Sequence, residues 1–152
     1  MRVVPFILPV LVLISCTPAD TCDEPTESLL VVRFKTSGPP VADTIIQDLT
    51  IFGIDESGSR GLVPVNFPGT RLPLDPQHSF TRFVMNSDGI SDTIELLHTV
   101  ESYLVSYGCG FALRYRVTGK SHKGLLIDSL EITGPVVDAD ILTDEENIRI
   151  YF

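Results

Sequence analysis

Five carboxylates crowd a short stretch near the C-terminus: Asp138, Asp140, Asp144, Glu145 and Glu146. Clustered oxygens of this kind are the raw material of a calcium site, because hard cations collect carboxylate and carbonyl ligands. The spacing departs from an EF-hand loop, however. Counted from Asp138, the glycine position holds Thr143 and the closing glutamate position holds Arg149. The plainer expectation is a solvated acidic loop before the last strand, which leaves these five residues as weak metal candidates. His78, His98 and His122 stand apart, without an H-E-x-x-H arrangement or any other ligand spacing. A serine nucleophile calls for a sharp G-x-S-x-G elbow, which Gly58-Ser59-Arg60-Gly61 does not provide. No glycine-rich phosphate loop is present either. The sequence therefore predicts no enzyme and no cofactor. Tyr103, Tyr107 and Tyr115 beside Arg114 and Arg116 could stack on sugars or peptides. Strand alternation instead assigns most of these tyrosines to the core.

The N-terminus carries the sharpest pattern. Arg2 precedes an apolar run over residues 3–14, broken only by Pro5 and Pro9, and Leu13-Ile14-Ser15-Cys16 follows. A membrane-spanning helix needs about 20 apolar residues, so this run reads as an export signal. Its ending resembles the lipobox of bacterial lipoproteins. That resemblance implies cleavage before Cys16, acylation of Cys16 and attachment to a membrane through the lipid. An ordinary signal peptide with a chance cysteine is the alternative. Of the three cysteines, Cys22 and Cys109 then remain. An even number in an oxidising compartment predicts a disulfide between them. Metal binding by two distant cysteines with no nearby histidine is the weaker reading.

Composition narrows the partners. A net charge of −9 and the absence of any basic run argue against nucleic acid, which rewards clustered Lys and Arg. The expected organisation is a signal peptide over 1–15, a lipidated N-terminus and polar tether over 16–28, and one domain over 29–152, a length suited to one core.

That domain must be built from strands. Apolar and β-branched runs over 29–36, 45–54, 62–67, 80–85, 111–117 and 125–133 are separated by turn clusters such as Asn86-Ser87-Asp88-Gly89. Residues 94–99 and 103–107 look like the two arms of a hairpin. The cleanest alternation places Phe111, Leu113, Tyr115 and Val117 on one face and Ala112, Arg114 and Arg116 on the other. Ile148, Ile150 and Phe152 mark a last strand. Seven to nine short strands without helical periodicity predict an all-β fold, an antiparallel β-sandwich, with the immunoglobulin-like arrangement among those allowed.

Several signposts together resemble a family of small uncharacterised Bacteroidota lipoproteins: Cys22-Asp23-Glu24-Pro25, Leu72-Pro73-Leu74, Cys109-Gly110 and the closing Ile148-Arg149-Ile150-Tyr151-Phe152. Asp43-Thr44-Ile45, Asp92-Thr93-Ile94 and Asp128-Ser129-Leu130 are similar to O-glycosylation acceptors of that lineage. The resemblance implies an extracytoplasmic β-rich domain with no assigned activity. The resulting expectation is a non-enzymatic binding or structural module of the cell envelope, lipid-anchored in the outer membrane, with an envelope protein or glycan as partner. A calcium- or glycan-binding domain and an enzyme of unrecognised type are the competing readings.

Overall fold

Ten strands form two sheets packed face to face in the computed structural model, which describes residues 22–54, 60–63, 65, 68–139 and 145–152. In chain order they are β1 (Leu29–Lys35), β2 (Thr50–Ile54), β3 (Arg60–Val63), β4 (Gly69–Pro73), β5 (Phe80–Ser87), β6 (Ile90–Ser106), β7 (Gly110–Gly124), β8 (Ser129–Ile132), β9 (Val136–Val137) and β10 (Ile148–Tyr151). One sheet runs β4-β1-β10-β8 and the other β3-β2-β5-β6-β7-β9. Among the described residues, all strand pairings are antiparallel except β1 with β10, in which Val32 lies opposite Ile148.

The sandwich follows from period-two burial. Leu30, Val32 and Phe34 of β1, with Leu72, Leu130, Ile148 and Ile150, supply one apolar layer. Ile51, Phe83, Met85, Ile94, Leu96, Tyr115, Val117 and Val137 supply the facing layer. Each such side chain contributes about 1.5–3 kcal/mol when removed from water. The β5–β6 hairpin closes on Asp88 and Gly89, whose φ angles of 51° and 79° suit a turn that matches strand twist.

The predicted sandwich is present, with three revisions to its parts. Among the described residues the count is ten strands rather than seven to nine, because the short β4 and β9 coincide with none of the apolar runs. Residues 94–99 and 103–107 are not two arms of a hairpin. Both belong to the 17-residue β6, whose partner is the 15-residue β7. The Thr99 to Ser102 stretch lacks turn residues, and a bulge at Leu97/His98 absorbs the irregularity that interrupts its pattern. Finally, the alternation over 111–117 holds at Tyr115 and Val117, which are buried, but fails at its start. Phe111 is 70% exposed and Ala112 is buried.

Length explains that failure. At about 3.3 Å per residue, β6 and β7 run to roughly 50 Å, whereas β1, the longest strand opposite, runs to about 23 Å. The long hairpin therefore overhangs the smaller sheet, and its tip lacks a sheet to cover it.

Candidate functional site

The overhanging β6–β7 tip is closed by a covalent clasp. Cys22 and Cys109 form a disulfide with Cα atoms 4.8 Å apart, which fixes the start of the described chain to the turn between β6 and β7. Ser28 Oγ donates to the carbonyl of Leu113, so residues 22–28 follow β7 outward from β1 to the tip. Within the turn, Cys109 N donates to Ser106 Oγ at 3.1 Å, and Gly110 adopts a φ of 77°, a conformation that favours glycine. Around this clasp Leu104 is 46%, Phe111 70% and Tyr107 101% exposed. Leu104 and Phe111 are direct cross-strand neighbours. The cysteine pair was legible from the count of cysteines. The apolar tip was not, because its alternation matches that of a core strand.

The rim of the tip is charged. Arg114 Nε and Nη2 donate to Asp138 Oδ2 at 2.9 and 2.7 Å, Nη1 reaches Glu101 at 3.4 Å, and the guanidinium lies 4.7 Å above the Tyr103 ring. Burial pushes the Asp138 carboxyl up, but hydrogen bonds from Arg114 and Tyr103 outweigh it and hold it below the usual range. Asp138 is therefore an ion-pair partner. Glu146 likewise pairs with Arg149 and lies 3.9 Å from Lys35, while Glu145 is exposed. Asp140 and Asp144 lie outside the described residues. Among the described residues, no three His, Cys, Asp or Glu side chains come together as a metal site. The proposed tyrosine–arginine face is divided: Tyr115 is buried, its hydroxyl donating to Leu74 O at 3.2 Å, Tyr107 projects from the tip, and only Tyr103 stacks with Arg114.

The histidines occupy structural positions. His78 Nδ1 lies 2.8 Å from Asp75 Oδ2, and His122 Nδ1 lies 3.3 Å from Asp92. Asp92 is buried and accepts from Ile127 N, fastening the loop after β7. Of the three glycosylation-like tripeptides, Asp92 and Ile94 are buried with Thr93 half-buried between them, Asp43 is exposed beside a half-buried Thr44, and the Asp128-Ser129 pair is exposed. His98 is 1% exposed, with Nε2 2.8 Å from Thr81 Oγ1 and its ring edge-on to Tyr115. The Thr81 hydroxyl also accepts from Asp75 N at 2.8 Å. Sequence reasoning missed this cluster because its members come from β5, β6 and the loop before β5.

Burial pushes the His98 pKa down, against a smaller upward pull from Asp75. The unfolded chain thus takes up a proton near the ordinary value of about 6.5, and the folded chain only at lower pH. Stability is expected to rise with pH up to about 6.5 and to fall below it, by at most about 1.4 kcal/mol per pH unit. Urea unfolding between pH 5 and 7 should show a shallower slope for His98→Gln than for the parent. Equal slopes would show that His98 titrates alike in both states.

A model described as a family of unknown function (DUF6452) matches residues 48–152. The match contains Cys109 and the β6–β7 tip but begins after Cys22. No curated protein and no solved structure matches the chain.

Proposed function

The chain belongs to the DUF6452 family of unknown function, and we propose that it is a lipid-anchored extracytoplasmic module of the bacterial cell envelope that binds or supports other components without catalysis. The observation that carries this reading is Leu13-Ile14-Ser15-Cys16 behind a basic residue and a short apolar run. The Cys22–Cys109 disulfide supports it, since such bonds persist in oxidising compartments. The resemblance to small Bacteroidota lipoproteins agrees with both, and Thr17 in place of a retention aspartate after Cys16 favours an outer-membrane address. Acylation by more than one chain gives durable anchoring, whereas a single chain does not.

Mass spectrometry of Cys16 tests the anchor. A diacylglyceryl group on an N-terminal Cys16, with Cys16→Ala released from the membrane fraction, is the expected result. An unmodified Cys16 within an uncleaved chain would overturn the reading. Crosslinking in the native envelope tests the role. A specific envelope partner, lost in Cys16→Ala, is expected, while robust turnover of an envelope substrate abolished by one substitution would make the protein an enzyme.

A further inference from the structure

The tip of the β6–β7 hairpin has features that an anchor alone does not require. Residues 102–113 contain no charged side chain, in a chain of which 20% is charged. The same stretch holds two tyrosines, a phenylalanine, two leucines and a valine. Its charges begin at Glu101 and Arg114, which pair with each other across the strands and form a polar rim below an apolar cap. Exposed apolar side chains in a rimmed cluster mark an interaction surface.

We propose that this cap is a membrane-contact surface, with Tyr107, Phe111 and Leu104 seated in the interfacial layer of the bilayer that holds the lipid of Cys16. The inference rests on the lipoprotein reading above. Its geometry comes from the clasp: Cys22 is covalently fixed to Cys109 at the tip, and six peptide links from Cys16 to Cys22 reach at most about 22 Å. The anchor therefore keeps this end of the domain within reach of the lipid surface. The opposite end of β6 lies roughly 50 Å away along the strand. Tyr107 has an apolar ring and a polar hydroxyl, the composition that settles at a membrane–water interface.

Charge selects the lipid. Asp23, Glu24 and Glu27 lie on the segment between the tip and β1, and anionic headgroups would repel them within a Debye length. The matching occupant is a zwitterionic lipid surface.

The chain has no tryptophan, so single substitutions make site-specific probes. The lipidated full-length protein is reconstituted into phosphatidylcholine–phosphatidylethanolamine vesicles with brominated acyl chains, carrying Tyr107→Trp, Phe111→Trp or, at the far end of β6, Ile90→Trp. All three positions are exposed, so the fold tolerates the probes. Loss of most fluorescence at 107 and 111, with none at 90, is the expected result. Weaker quenching when anionic lipid is added supports the choice of surface. Protein that floats with the vesicles but is unquenched at 107 and 111 overturns the inference and leaves the lipoprotein reading intact. Equal quenching at all three sites also overturns it, because the domain then lies flat. A tip that stays dark to bromine yet crosslinks to an envelope protein assigns the surface to that protein instead. Failure to acylate Cys16 removes both readings together.

Discussion

Replacing Cys109 with serine is expected to lower unfolding stability by about 4–5 kcal/mol, the chain-entropy value for opening a long closed loop. The loop spans a sequence separation of 87 residues. Without the bond, residues 22–28 are held to β7 chiefly by the Ser28–Leu113 hydrogen bond and by packing along the strand. Cys22→Ser should cost the same amount, and the double variant should add little, because both changes delete one bond. Reductant should destabilise the parent and leave the variants unchanged. Thermal unfolding of the four proteins, with and without reductant, checks all of this. Additive losses in the two single variants would mean that each cysteine contributes through separate contacts.

The second large effect is centred on Asn147, which is 7% exposed. Its side chain accepts from Val31 N at 2.8 Å and donates to Gly134 O and Val136 O at 3.0 and 2.9 Å. Val31 belongs to the smaller sheet and Val136 to the larger, so one carboxamide ties the two layers together. Asn147→Ala leaves a buried backbone donor and two part-buried carbonyls without these partners. A loss of about 3 kcal/mol or more follows from the cost of stranded polar groups. Asn147→Asp is the sharper test. An aspartate keeps the Val31 bond but turns a negative oxygen toward two carbonyls, which raises its pKa above the ordinary value of about 3.9. The charge penalty is thus absent below that pH and grows as pH rises toward the raised pKa. It comes on top of a constant cost for the second carbonyl, because a protonated carboxyl has one O–H to donate where the carboxamide has two N–H. Urea unfolding of Asn147→Asp against the parent should show a gap that widens from pH 4 to 7. A constant gap would place the carboxylate in contact with water.

The all-β class and the cysteine pair were readable because each rests on local or countable signals. Alternation at Leu30, Val32 and Phe34, the Asp88-Gly89 turn and two cysteines left over after Cys16 are of that kind. The exposed tip was hidden because Phe111 and Leu113 carry the pattern of a buried face. Whether such a face is covered depends on the length of the sheet opposite, which no single strand records. The partners of the acidic stretch were hidden for a related reason. Arg114 and Arg149, far apart in sequence, supply the charges that answer Asp138 and Glu146. Asn147 gave no signal, since a polar residue before a strand ordinarily reads as loop.

The parallel pairing of β1 with β10 dictates an order of events as the chain acquires its structure. Asn147 and Val31, adjacent in the fold, are separated by 116 positions, so the smaller sheet cannot close until the last strand has arrived. The β5–β6–β7 meander joins neighbours through short turns and needs no such wait. A chain emerging from a membrane pore N-terminus first would hold β1 unpaired with β10 throughout its passage, its Leu-Leu-Val-Val segment uncovered. Contacts so distant along the chain form slowly, and an apolar strand kept waiting is a site where chains adhere to one another. For a chain exported as proposed above, escort of the unfinished polypeptide would be a requirement of this topology.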